Sequence, residues 1–223
     1  MTWNNITIRK YIALSQAMSA KYEDNEQMTF AILSVLHDKP KEYFESSIPV
    51  TELTKHIKDM QFIYTKETTT GFPTRVKVGL KRYKIEHNVS ELTSGQYIDL
   101  STYCKDPETI NKNYHKIIAV LVSPMGLFGD KFKRKIKKAK TQAELEMVHL
   151  KIWKERQELS EVLLDELTMD KVFQITNYFF LLYQNLIKSI PSYLEKKKRM
   201  ALQELSQVLE EVGLQNIGAG LLH

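Results

Sequence analysis

A single cysteine, Cys104, stands in the 223 residues. No intrachain disulfide can form, and a cysteine-rich zinc site is excluded. Glycine (8) and proline (6) are sparse, and so few chain breakers favour long helices. No uninterrupted apolar run exceeds six residues, as over 178–183, far short of the ~20 that cross a bilayer. The start Met1-Thr2-Trp3-Asn4-Asn5 has neither the charged opening nor the apolar run of a signal peptide. Also missing are Gly-x4-Gly-Lys-Ser/Thr, a Gly-x-Gly-x-x-Gly after a strand, and Gly-x-Ser-x-Gly. His37, His56, His87, His115, His149 and His223 form neither His-x3-His nor His-Glu-x-x-His. The expectation is a soluble protein that is not an enzyme and needs no cofactor or metal. The carboxylates Asp165, Glu166 and Asp170 read as helix-start charges, and Cys104 as a partly buried bystander.

What is present is an ordinary globular balance, 43% hydrophobic and 26% charged, with enough length for a real core. The formal charge of +5 is unevenly placed. Residues 131–140 read Lys-Phe-Lys-Arg-Lys-Ile-Lys-Lys-Ala-Lys, seven cations with no anion, and Lys196-Lys197-Lys198-Arg199 adds four. Without those eleven the chain stands at −6. Two basic clusters on a mildly acidic protein point to discrete contacts with polyanions or acidic partners.

Periodicity predicts a mainly α fold with one small β-hairpin near 75–87 and long C-terminal helices. From Asn25, the residues Met28, Ala31, Ile32, Val35 and Leu36 form an amphipathic stripe. Ile8, Tyr11, Ile12 and Met18 suggest a helix before it, and Leu53, Ile57, Met60 and Tyr64 one after it. Val76, Val78 and Leu80, then Tyr83, Ile85 and His87, alternate as strands turning near 79–82. No other β region stands out. Thr93 or Ser94 caps a helix holding Tyr97, Ile98 and Leu100. Asp106-Pro107 opens one carrying Tyr114, Ile117, Ile118 and Leu121, which ends before Pro124. Thr141 with Glu144 forms a capping box ahead of Leu145, Val148, Ile152 and Trp153. Thr168 caps an apolar helix rich in aromatics (Phe173, Tyr178, Phe179, Phe180, Tyr183) that should be central. A last helix carries Leu205, Val208, Leu209 and Val212 and stops at Gly213. The organisation expected is 1–125, a basic arm or insertion over 126–160, and C-terminal helices with an extended tail over 161–223 that join the first region.

Three segments carry a resemblance. Leu92-Thr93-x-Gly95-Gln96-Tyr97-Ile98-Asp99-Leu100 is followed by Asn113-x-His115-Lys116-Ile117-Ile118-Ala119-Val120-Leu121 and Ser123-Pro124-x-Gly126. Together they resemble a pattern in small proteins of Bacteroidetes phages and prophages, including those of the head–tail region of crAss-like phages. Ile32-Leu33-Ser34-Val35-Leu36 and Phe179-Phe180-Leu181 fall in the matching order. The resemblance spans roughly 5–190, with about 20 positions carrying it. It implies a virion structural protein, a ring or adaptor subunit of the neck, assembled in the host cytoplasm. Its implied partners are copies of itself, other neck, portal or tail proteins, and packaged DNA through non-specific contact; no membrane is implied. A tail-assembly chaperone is the alternative the same resemblance allows. A small DNA-binding protein using 131–140 is a third reading, from the residues alone. The chain departs from the pattern after Gly126, and no catalytic role comes with it.

Three groups of residues are therefore candidates. Gly95, Gln96, Tyr97 and Asp99 read as a structural motif: Gly95 permits close approach, Gln96 and Asp99 bond nearby backbone, and Tyr97, Ile98 and Leu100 enter the core. Lys131, Lys133, Arg134, Lys135, Lys137, Lys138 and Lys140, with Lys196, Lys197, Lys198 and Arg199, are the interaction candidates. On a helix, Phe132, Ile136 and Ala139 make one thin apolar stripe among the lysines. That helix is a solvated face, a contact for an acidic partner or neighbouring subunit, or a contact for nucleic acid or an anionic surface. One arginine and no Asn or Gln leave nothing to read base edges. Leu221 and Leu222 would dock the tail on a neighbour.

Overall fold

The structure is a computed structural model that describes residues 1–65, 72–86, 88, 91–127, 129–177 and 179–181. The chain divides into two units, Met1–Phe179 and Phe180–His223. The first is a mainly α body with a small antiparallel sheet. Its helices are α1 (Ile8–Ser19), α2 (Asn25–His37), α3 (Val50–Asp59), α4 (Ser94–Tyr103), α5 (Pro107–Leu121), α6 (Lys131–Lys138) and α7 (Gln142–Glu166). A further helix, α8, runs over 169–177.

The start signals in the sequence are used as side-chain caps, which satisfy the amides a helix leaves open at its first turn. Asp24 accepts from Gln27 N at 2.8 Å, and Asp106, with Pro107 behind it, accepts from Thr109 N at 2.7 Å. Thr93 with Gln96 and Thr141 with Glu144 each close a capping box. On α2 the buried set is Phe30, Ile32, Leu33 and Leu36. Of the expected stripe only Ile32 and Leu36 are buried; Met28, Ala31 and Val35 are half-buried, and the buried face is rotated toward Phe30 and Leu33.

The centre of the body is α5, where Tyr114, His115 and every residue from Ile117 to Leu121 are buried. Helices α1, α4 and α7 surround it. One edge is closed by an aromatic cluster. Trp3 meets Phe62 at 4.9 Å, Phe173 at 5.4 Å and Tyr11 at 6.0 Å between ring centres, all edge-on. Tyr11 meets Tyr114 at 5.8 Å. Edge-to-face pairs set the negative face of one ring against the positive rim of the next. Met169, Val172, Ile175 and Phe179 are buried, whereas Lys171, Asn177 and Leu181 are exposed. The described part of the aromatic segment is thus buried along one side; Tyr178, Tyr183 and the last expected helix with Leu205, Val208, Leu209, Val212 and Gly213 lie outside the described residues.

The N-terminal segment clasps the start of α8. Thr7 and Thr168 form an antiparallel bridge, with Met169 N donating to Ile6 O at 2.7 Å and Ile8 N to Leu167 O at 3.2 Å. Asp165 and Glu166 lie at the C-terminal end of α7, not at a helix start. Asp165 there takes both arms of Arg9, at 2.6 and 2.9 Å.

The hairpin expected near 75–87 is β1 (Arg75–Val78) and β2 (Lys81–Ile85). Gly79 has φ +54° and Leu80 does not share that sign, as a type II′ turn requires. Leu80 is therefore a turn residue, 97% exposed, and not a strand position; His87 lies outside the described residues. The hairpin is also not alone. Strand β3 (Val122–Gly126) follows α5 without a loop and pairs with β2, Tyr83 opposite Pro124 and Ile85 opposite Val122. Strand β4 (Gly129–Asp130) pairs with β3 and completes the order β1-β2-β3-β4. Val76, Val78, Tyr83, Ile85 and Val122 form its buried face.

Candidate anionic-partner interface

Asp130 ends β4 and caps α6, accepting from Phe132 N at 2.8 Å and Lys133 N at 3.0 Å. The short turn from β3 to β4 thereby fixes where the basic helix starts. Gly129 has φ +91°, a conformation that favours glycine. A Cβ on Gly126 would come within 3.0 Å of the Lys131 side chain. Phe132 is the buried anchor of α6, 4% exposed. Its ring lies between the Lys135 ammonium at 5.7 Å and the Arg156 guanidinium of α7 at 5.5 Å. Ile136 and Ala139 are half-buried behind it, so the expected apolar stripe forms.

The seven cations divide into two sets. Lys133 reaches back to Glu86 at 3.1 Å and Glu91 at 3.2 Å. Burial pushes the Glu86 carboxyl up, but Lys133, Lys84 and the Asn88 amide outweigh it and hold it below its usual range. Lys135 pairs with Glu155 of α7 at 2.5 Å. These two lysines clamp α6 to the sheet side and to α7. Lys131, Lys137, Lys138 and Lys140 make no ion pair among the described residues and are exposed, as is Arg134. Lys137 and Lys138 sit in the last turn, where cations suit the helix dipole. The arrangement is a helix fixed at two lysines that presents others unneutralised. Lys196, Lys197, Lys198, Arg199, Leu221 and Leu222 lie outside the described residues.

The motif around α4 is placed differently. Gln96 Nε2 donates to Val120 O at 2.9 Å, tying α4 to α5. Leu100 is buried and Tyr97 half-buried, but Ile98 is 61% exposed and does not enter the core. Gly95 has open space where a Cβ would lie, so no close approach requires it. Asp99 makes no backbone bond among the described residues. It faces Arg156 instead, across a slot of about 10 Å³ lined also by Tyr103, Lys116, Gln157 and Ser160. That is room for a single water. Burial raises the Asp99 carboxyl, opposed by Arg156, and lowers the Arg156 guanidinium. The Arg156 Nε has no partner among the described residues. Nothing local in the sequence joins Asp99 to a residue 57 positions on; only packing of α4 and α7 on α5 does.

Two of the histidines meet after all: His37 and His56 lie 4.3 Å apart between ring centres, beside Phe44. Their separation in the chain carries no ligand signature, and no group of three metal-capable side chains occurs among the described residues. His115 is buried, its Nδ1 without a partner. Burial first, then Lys116 and Arg9, push its pKa down to about 4 against the pull of Glu161. Burial pushes the Cys104 thiol up to about 12.

A larger hollow of about 660 Å³ lies between α1 and α5. Its Glu108 and Lys112 neutralise each other at 2.5 Å, so they offer no free charge. Among the described residues no helix is long and apolar enough to cross a membrane. No protein-family model, no curated protein and no solved structure matches the chain.

Proposed function

We propose that this is a structural assembly protein, a ring or adaptor subunit of a phage head–tail connector, which meets an anionic neighbour through α6. The observation that carries the contact is the division of the basic segment. Lys133 and Lys135 are used to fix the helix, and Lys137, Lys138 and Lys140 are left exposed beyond the anchor. A solvated helix would not need such clamping. The setting comes from the resemblance of the segments around Gly95–Leu100 and Asn113–Leu121. In a ring, identical subunits contact head to tail through a rotation that closes, and α6 would face an acidic neighbour or the DNA channel.

The test is mass spectrometry of purified particles together with light scattering of the isolated protein. A fixed copy number in particles and a closed oligomer are expected. A strictly monomeric protein absent from particles would refute the reading, and absence with retained binding to tail proteins would favour an assembly chaperone. The variant K137E/K138E/K140E should melt like the parent protein yet weaken ring stacking.

A further inference from the structure

Beside α6 lies a surface outside the core, with the clamp residue Lys135 at its wall. Between α6 and the first half of α7 runs a groove of about 350 Å³. Ala139, Met147 and Val148 form its apolar floor, and Lys138 and Lys151 flank it. Along α7 the apolar surface continues from Met147 to Leu150, which are 64% and 55% exposed and three residues apart on neighbouring turns. Trp153 lies further round the helix and lines the slot with Asp99 and Tyr103. The side of α7 that carries Ile152, Leu159 and Leu163 supplies the core. The exposed ridge is therefore a second apolar face on a helix that already has one.

Its charge is net positive. Lys138 and Lys151 outnumber the Glu144 carboxylate, which accepts from the backbone amides of Lys140 and Thr141, and Lys135 is paired with Glu155. Lys138, Lys151 and Lys154 make no ion pair among the described residues. An apolar floor between free lysines matches an amphipathic helix with aliphatic or aromatic anchors along one face and carboxylates on both flanks. Nucleic acid fits less well. Phosphates would use the lysines but leave Met147, Val148 and Ala139 covered by nothing apolar. Methionine is also a side chain that binds helices well, because it adapts its shape.

We propose that the α6–α7 groove docks an acidic amphipathic helix of a partner protein. This deepens the reading of α6 as an anion-facing element and rests on it, but specifies a protein partner.

The experiment uses the full chain and a labelled synthetic peptide of ~20 residues, long enough to form a helix, with Leu at i, i+3, i+4 and i+7 and Glu elsewhere. Binding is read by anisotropy. Micromolar affinity is expected, as suits a groove holding one or two anchors. Met147→Glu and, separately, K138E/K151E should each weaken binding at least tenfold with an unchanged far-ultraviolet spectrum. A peptide with its Leu replaced by Ser should not bind. Absence of binding, or binding unaffected by Met147→Glu, would overturn the inference. So would tighter binding of a duplex DNA that ignores Met147→Glu. Peptide failure with the protein present in particles removes this inference alone, whereas peptide binding by a protein absent from particles removes only the connector reading.

Discussion

Phe132→Ala should release α6 without unfolding the body. The helix has eight residues, fewer than the ~12–15 an isolated helix needs even in a favourable sequence, so its order depends on what it touches. Phe132 is its one fully buried side chain. Burying a phenylalanine contributes about 1.5–3 kcal/mol. The cations at 5.7 and 5.5 Å add about 0.5–1 kcal/mol each. The sum, roughly 3–5 kcal/mol, matches what phenylalanine truncation costs in cores. Phe132→Leu keeps most of the apolar burial and loses the ring's attraction for the two cations, so it should cost only about 1–2 kcal/mol. Hydrogen exchange by mass spectrometry reads this directly. In Phe132→Ala the amides of 131–138 should exchange at least a hundredfold faster, while those of α5 change little. Unchanged exchange in α6, or equal acceleration in α5 and α6, would refute the idea of a separately anchored helix.

Two further outcomes follow from buried titrating groups. His115 is held neutral in the folded body, with its pKa lowered to about 4 from about 6.5 in the unfolded chain. The unfolded chain therefore binds the extra proton first, and this contribution is complete above pH 6.5 and lost as pH falls toward 4. Between pH 6.5 and 5, before most carboxylates titrate, stability in urea should drop by roughly 2 kcal/mol. His115→Gln should reduce that slope whatever its own stability, leaving the part due to His37, whose pKa burial also lowers, and an unchanged slope would show that His115 is not a group responsible. Cys104, its thiol pushed up to about 12, should alkylate with iodoacetamide far more slowly in the native protein than in urea, where about 8.5 is restored. Equal rates would show that the thiol is not held in the apolar environment that raises it.

The helices were legible because their starts are written locally. Asn25, Thr93, Asp106-Pro107, Thr141 and Thr168 all stand at or next to the observed starts. The mainly α class follows from these and from the apolar periodicity. Strands β3 and β4 escaped notice for two reasons. Val122–Gly126 contains Pro124 and Gly126, which read as breakers, and its partner is β2, some forty residues earlier. The basic segment was legible as a cluster but not as two sets, since Glu86, Glu91 and Glu155 reach Lys133 and Lys135 only through the tertiary fold. Asp99 and Arg156 were missed likewise. The exposed apolar positions Met147 and Leu150 of α7 were missed, because a helix with two apolar faces does not announce which one the body takes.

The clasp between Thr7 and Thr168 also sets an order of events during synthesis. The first helix carries Ile8 and Leu14, both buried in the finished body, yet residues 167–169, which hold its N-terminal end, are made about 160 residues later. At translation rates of ~5–20 residues per second, that interval is roughly 10–30 s. Throughout it α1 can already pack on α2 and then on α5, but the Ile6 carbonyl and the Ile8 amide have no partner until Leu167 and Met169 are made, so the clasp is the last bond to close around this helix.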